Sequence, residues 1–127
     1  MAKIAGPVAD LVISDPAGSP EEKDEERFLD RVNQEIMPRI PRGWTVRQNG
    51  QGYGFTFSDT TRKQVSIRVD KGDPTSDFPS QQVDHVVINN GRGVVGTDGK
   101  LTGIGADPLN AHVPMDTYGK WKDILSP

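Results

Sequence analysis

Two histidines, His85 and His112, are the residues of this chain best suited to acid–base chemistry. Imidazole changes its charge near neutral pH, so a pair of histidines can serve one reaction as general base and general acid. Both lie in or beside predicted β-strands. A strand histidine is also typical of a hydrogen-bonded core, and the alternation of Val83, His85 and Val87 leaves both faces of that strand nearly equally apolar. The pattern therefore makes both histidines catalytic candidates without excluding a packing role.

Cationic and amide side chains lie close to the first histidine in the sequence. Arg68 and Lys71 come at the end of one predicted strand, and Ser80, Gln81 and Gln82 lead into the next. Arginine and lysine stabilise phosphate charge, and hydroxyl or amide groups donate hydrogen bonds to phosphate or base edges. Antiparallel pairing of residues 63–69 with 83–89 would bring these groups to one end of a sheet.

Cleavage of RNA without a metal ion is the chemistry that this set of residues fits best. Attack of the 2′-hydroxyl on the adjacent phosphate needs a base, an acid for the leaving 5′-oxygen, and cations or N–H donors for the developing charge. We expect His85, His112 and Arg68 to be catalytic. We expect Lys71 and the segment Ser80–Gln82 to bind substrate.

Other chemistries fit the sequence less well. Two histidines with scattered aspartates, and no HExxH or HxH spacing, do not predict a metal site, and no cofactor is expected. The glycine-rich stretch Gly91–Gly96 opens no predicted helix, so it does not predict a phosphate-binding loop. Ser80 does not lie in a GxSxG turn, which argues against a serine hydrolase.

The predicted elements that position these residues belong to an α+β domain. Ser19 as N-cap, Pro20 and the acidic first turn begin a helix whose apolar stripe includes Phe28, Val32 and Ile36. From Gly43 onward, apolar residues alternate with polar ones, as in β-strands. We expect this N-terminal helix to pack on a twisted antiparallel sheet of four to five strands, within one domain over residues 19–127. Residues 1–18 are expected to form a linker or flexible arm.

Composition and charge narrow the class of protein. The 127 residues include 14 glycines, 10 prolines and no cysteine, which indicates a loop-rich fold without disulfides or thiolate metal sites. No apolar run is long enough to span a membrane, so a soluble protein is expected. The net charge of −3 argues mildly against a generic nucleic-acid binder. The net negative charge lies in residues 1–60, however, and residues 61–127 are neutral overall, so the strands of the C-terminal half can still present a cationic face.

The segments "SIRVDKGDPTSDFPSQQVDHVVIN", "DGK" and "AHVPMDTYGKW" resemble, in order and spacing, the C-terminal toxin domains of bacterial polymorphic toxins of the Rhs and contact-dependent growth-inhibition types. The resemblance covers roughly residues 44 to 121. It implies the small ribonuclease fold shared by barnase, EndoU, the tRNA-cleaving colicins and RelE. It also implies a tRNA substrate, a cognate immunity protein as partner, and delivery into the cytoplasm of a target cell.

The residues that match the recurring positions of this resemblance are the candidates already named: Arg68, Ser80, Gln81, Gln82, His85 and His112. Asp70 and Lys71 fall in its more variable part. Tyr53, Phe55 and Phe78 are expected to stack on unpaired bases. The alternative function is a non-catalytic binding domain, such as an immunity or adaptor protein, which the acidic balance allows. Such a domain has no need of both histidines.

Overall fold

The computed structural model describes residues 20–50 and 53–127. The predicted arm 1–18 and the N-cap at Ser19 lie outside these residues. The chain divides into two compact units, of which the first ends at Arg42 and the second runs from Gly43 to Pro127. The expectation of a single domain over 19–127 stays a prediction.

The first unit contains helix α1, Pro20–Glu35, and a single 3₁₀ turn, Met37–Arg39. Its predicted apolar stripe is buried: Phe28, Val32 and Ile36 are at most 2% exposed. The helix ends just before Pro38 because proline cannot donate the next helical hydrogen bond and restricts the residue before it.

The second unit is built on an antiparallel sheet. Its four longer strands are consecutive in sequence and adjacent in space: β1 Thr45–Gln48, β2 Gly54–Ser58, β3 Val65–Asp70 and β4 His85–Asn90. Antiparallel pairing of these two strands is present, but it joins 65–70 to 85–90 rather than 63–69 to 83–89. Arg68 lies opposite Val87 and Asp70 lies opposite His85.

Three strands of two residues each complete the sheet: β5 Val94–Val95, β6 Leu101–Thr102 and β7 Val113–Pro114. β5 and β7 both pair with β4, and β6 pairs with β5. Two four-residue helices, α2 Pro108–Ala111 and α3 Met115–Tyr118, flank β7. The α+β class with an antiparallel sheet is confirmed. The expected four to five strands become seven, because two-residue strands are too short to show an alternating pattern.

Residues alternate strictly between the two faces of the four longer strands. In β2, β3 and β4, one face, here called the apolar face, carries fully buried side chains: Phe55, Phe57, Ile67, Val69, Val86 and Ile88. The opposite face, here called the polar face, carries Thr56, Arg68, Asp70 and His85. The same strands thus supply both a core and a row of functional groups. Within the described residues, no helix has the length and apolar character needed to cross a membrane.

Candidate active site

Strand register places the polar groups of three strands beside one another. Thr56 of β2 lies opposite Arg68 of β3, and Asp70 of β3 lies opposite His85 of β4. Residues directly opposite in an antiparallel pair project to the same face of the sheet. The polar face therefore brings together a hydroxyl, a guanidinium, a carboxylate and an imidazole.

His85 is held in one orientation and one tautomer. Its Nδ1 lies 2.8 Å from the carbonyl oxygen of Val83. Because a carbonyl oxygen can only accept, Nδ1 must donate, and Nε2 is left as the atom that takes or gives a proton. Nε2 lies 3.8 Å from Oδ2 of Asp70. Burial lowers the pKa of His85; the Val83 carbonyl and Asp70 partly oppose this effect, while His112 and Arg68 add to it.

His112 is fixed in the same way from another part of the chain. Its Nδ1 lies 2.6 Å from the carbonyl oxygen of Pro108, the first residue of α2, so its Nε2 is also left for proton transfer. The two imidazole rings meet edge to face, with centroids 5.1 Å apart and planes at 77°. Both histidines are buried. The two histidines are 27 positions apart in the sequence, and the fold places them in contact.

Asp70 organises the groups around the histidine pair. Its Oδ2 accepts a hydrogen bond of 2.7 Å from Nε of Arg68, and its Oδ1 accepts one of 2.7 Å from Nδ2 of Asn49. Oδ1 of Asn49 accepts in turn from the hydroxyl of Thr56, at 2.6 Å. Gly54 lies directly opposite Asp70, and a Cβ there would overlap the carbonyl oxygen of Val69 and lie 2.5 Å from Oδ1 of Asp70. A glycine at position 54 is therefore needed for this close approach.

These groups line a cavity of about 460 Å³, here called the catalytic cavity. Both histidines, Arg68 and Lys71 lie in its wall, together with Arg47 of β1. Its volume falls in the range of about 300–1,000 Å³ typical of small-molecule sites. Arg68 is paired with Asp70, whereas no described residue forms a hydrogen bond or ion pair with the side chains of Lys71 and Arg47. The cavity thus offers two cations that an anionic ligand can engage.

The three residues Ser80, Gln81 and Gln82, predicted to bind substrate, take different positions. They form and follow a 3₁₀ turn, Pro79–Gln81. Gln81 lines the catalytic cavity. Ser80 is buried, and its hydroxyl donates to the carbonyl oxygen of Pro108 at 3.3 Å. Gln82 is exposed, and its amide donates to the carbonyl oxygen of Ser76 at 2.8 Å; it is not among the described residues that line the cavity.

The expected base-stacking aromatic residues also differ from one another. Phe55 belongs to the apolar face and has no exposed surface, so the prediction that it stacks on a base is wrong. Tyr53 lines the catalytic cavity. Phe78 is 50% exposed just before the 3₁₀ turn. Alternation along a strand does not show which of its two faces is buried, so the spacing of the aromatic residues could not distinguish a core position from a cavity position.

Three contributors to the site were missed or left in doubt by the sequence. Asn49 precedes Gly50 in a pattern typical of a hairpin turn, Thr56 lies between two core phenylalanines, and Asp70 falls in the more variable part of the resemblance. A signal for Thr56 was present: one polar residue between Phe55 and Phe57 in a strand must point away from them. The link from Thr56 through Asn49 to Asp70 could not be read from spacing.

No group of three or more histidines, aspartates or glutamates within 20–50 and 53–127 is arranged to hold a metal ion. The expectation that activity needs no metal stays a prediction.

Comparison of the chain with protein-family models, with curated proteins and with solved structures gives no match. The function must therefore be argued from the residues of the site.

Proposed function

We propose that this chain is an endoribonuclease domain that cleaves RNA by attack of a 2′-hydroxyl on the adjacent phosphate. One observation carries the proposal: two imidazoles 5.1 Å apart, each with Nδ1 bonded to a backbone carbonyl, leave two Nε2 atoms for proton transfer in one cavity. A reaction that takes one proton and gives another uses such a pair directly.

The electrostatics of the pair favour His85 as the base. Its lowered pKa keeps it neutral at pH 7, and a neutral imidazole accepts a proton. In the proposed step, Nε2 of His85 takes the 2′-hydroxyl proton while the 2′-oxygen bonds to phosphorus. The bond from phosphorus to the 5′-oxygen breaks, and that oxygen takes a proton from Nε2 of His112. The products are a 2′,3′-cyclic phosphate and a 5′-hydroxyl.

The contact between the rings supports this exchange. Coulombic repulsion from His112 contributes to the lowered pKa of His85, so the two rings influence each other's charge across their contact. During the reaction His85 gains the proton of the 2′-hydroxyl while His112 gives one to the leaving 5′-oxygen, so the number of protons on the pair does not change. Asp70 Oδ2, 3.8 Å from Nε2 of His85, then stabilises the new imidazolium.

Arg68 and the two further cations of the cavity wall, Lys71 and Arg47, account for binding and charge stabilisation in this proposal. Asp70 holds Nε of Arg68, which directs a planar guanidinium whose other N–H groups can donate to the phosphorane oxygens. Lys71 and Arg47 are placed to contact flanking phosphates. Gln81 adds an amide at the same wall.

The biological setting follows from the resemblance of residues 44 to 121 to polymorphic-toxin domains. In this proposal the domain is a toxin that acts on tRNA in the cytoplasm of a target cell, and its producer protects itself with a cognate immunity protein. The histidine pair supports this function over that of an inhibitor or adaptor, because a binding surface gains nothing from two matched Nε2 atoms in a cavity.

Incubation of the purified protein with total RNA, with and without EDTA, tests the proposal. We expect cleavage in both conditions, with 2′,3′-cyclic phosphate and 5′-hydroxyl ends. Products with 3′-hydroxyl ends that form only with a divalent ion would disprove the mechanism. The His85→Asn variant is the control, because asparagine can still donate to the Val83 carbonyl but has no Nε2.

Growth on expression tests the biological part separately. Expression of the wild-type chain should stop bacterial growth, and His85→Asn at equal protein level should not. If the wild type and His85→Asn both stop growth, the toxicity does not depend on the proposed acid–base chemistry of His85.

A further inference from the structure

A second cavity lies on the other side of His112. It measures about 510 Å³, and His112 belongs to the walls of both cavities. Its apolar surface comes from two prolines and two exposed aliphatic side chains, Val83 at 50% and Leu109 at 65% exposure. An occupant of this second cavity therefore sits one imidazole away from the proposed reacting atoms.

Helix α2 links the second cavity to the histidine pair. The carbonyl oxygen of Pro108 holds both the imidazole of His112 and the hydroxyl of Ser80. The next residue, Leu109, is one of the most exposed large apolar side chains in the described chain. An exposed leucine is ordinary by itself. Here it borders a cavity whose position is fixed by the same short helix that orients a catalytic candidate.

The rim of the second cavity also carries polar groups. Asn110 lines it, and the amide of Asn110 makes only long hydrogen bonds of 3.4 Å, to the backbone and side chain of Asp98. Bonds of this length are weak and are readily exchanged for better ones. An apolar floor with a few hydrogen-bonding groups at its edge suits a flat heteroaromatic ring, since the ring stacks on the floor and its edge meets the amide.

We propose that the second cavity is a nucleobase subsite, which holds the base of a nucleotide next to the scissile phosphate against Leu109 and Val83. The choice of RNA as ligand rests on the proposed function. Because the two cavities share His112 as a wall, one RNA molecule can occupy both of them. A base and its own phosphate are covalently joined over a short distance, as this arrangement requires. A protein partner needs no such continuity with the catalytic cavity.

Binding of a single-stranded 12-mer of random sequence tests the subsite. All 2′-hydroxyls are replaced by 2′-O-methyl groups, so that 2′-hydroxyl attack cannot cut the probe. An abasic backbone of the same length carries the phosphates without the bases. Fluorescence anisotropy compares the wild type with Leu109→Ala and with the matched control Leu101→Ala, whose leucine is 54% exposed but lines neither cavity.

We expect Leu109→Ala to weaken binding of the base-bearing 12-mer about 5- to 10-fold, as loss of part of a stacking contact predicts. Binding of the abasic backbone should not change, and Leu101→Ala should change neither. If Leu109→Ala binds both probes as the wild type does, RNA does not use the second cavity and a protein partner becomes its better occupant. Equal weakening for both probes also overturns the subsite, since Leu109 would then act without regard to bases.

Cleavage of total RNA by the wild type separates this result from the proposed function. Cleavage with no effect of Leu109→Ala on binding overturns the subsite alone. No cleavage, with base-dependent weakening by Leu109→Ala, overturns the nuclease and supports the subsite as part of an RNA-binding surface. A wild type that neither cleaves nor binds RNA overturns both.

Discussion

The two faces of strands β2, β3 and β4 differ in burial and in the chemistry of their side chains. The apolar face is made of aromatic and β-branched side chains with no more than 1% exposure. The polar face carries charged and hydrogen-bonding groups joined to one another from Thr56 through Asn49 and Asp70 to Arg68. Both faces are built by neighbouring residues on one backbone, so the contrast comes from side-chain alternation alone.

This difference shows that the need for a stable fold explains the apolar face but not the polar face. Burial of apolar surface is the main stabilising term of a small domain. Partly buried charges and imidazoles lose hydration, and their mutual contacts often only offset that loss, so apolar residues in their place are frequently neutral or stabilising. The apolar face is explained by folding. The polar face needs a further explanation. The proposed transfer of a proton from a 2′-hydroxyl to His85, and of another from His112 to a leaving 5′-oxygen, would supply it.

The largest expected effect is loss of stability on the apolar face. Phe57→Ala should lower the free energy of unfolding by about 3–5 kcal/mol, because it leaves a cavity in a close-packed core. Its matched control is Thr56→Val, one residue away on the polar face, which keeps the shape and loses a hydroxyl for about 1 kcal/mol. Urea denaturation measures both variants. Equal losses would mean that the two faces do not divide their roles as described.

The next largest effect is loss of rate on the polar face. His85→Asn and His112→Asn should each slow RNA cleavage by about 10²–10⁴-fold, since each removes an acid or base while retaining a donor to its backbone carbonyl. Circular dichroism should show a folded protein with a melting temperature close to that of the wild type. A lowered melting temperature with full activity per folded molecule would assign the histidines to packing instead.

A smaller effect is expected when the charge of Arg68 is kept and its shape is changed. Arg68→Lys should reduce cleavage by more than tenfold, because lysine cannot hold Asp70 and donate to phosphate in the same planar geometry. Arg62→Lys is the control, since Arg62 makes the same kind of pair, Nε to Oδ2 of Asp59 at 2.6 Å, away from the cavity. Full activity of folded Arg68→Lys would place the site of charge stabilisation elsewhere.

Much of the fold could be predicted because its signals are local. Alternation in "VSIRVD" and an apolar stripe in α1 are periodic over many residues, so their strand and helix were identified correctly. The pairing of β3 with β4 followed from their spacing and brought Arg68 near His85. The two-residue strands carry no period, and they became visible only when neighbouring strands supplied hydrogen-bond partners.

The candidate site was predictable in residue type and less so in arrangement. His85, His112 and Arg68 were chosen because few other side chains of this chain suit the chemistry. Their arrangement around Asp70 depends on strand register, because a shift of one residue would move the side chains of a strand to the opposite face of the sheet. Gln81 and Gln82 are adjacent and identical in type, so the sequence does not distinguish their roles. In the structure Gln82 follows the 3₁₀ turn, and its amide donates to the carbonyl oxygen of Ser76.

The smallest expected effect is a dependence of the free energy of unfolding on pH, caused by the titration of His85. Burial lowers the pKa of His85 below its ordinary value of 6.5, so between the two values the folded chain binds fewer protons than the unfolded chain. Stability then rises with pH in that window and falls as pH decreases below 6.5, by at most about 1.4 kcal/mol per pH unit. From about one pH unit above 6.5, both states are nearly neutral at this residue, and it contributes almost no slope.

Urea denaturation of the wild type and of His85→Asn between about pH 5 and 7.5 measures this slope. The carboxylates Asp59, Asp73 and Asp98 have pKa values lowered from 3.8, so their stabilisation is lost at lower pH, outside this window. The wild type should lose stability relative to His85→Asn as the pH decreases from 6.5. If the two proteins lose stability in parallel, burial does not hold His85 neutral, and its assignment as the base loses its electrostatic support.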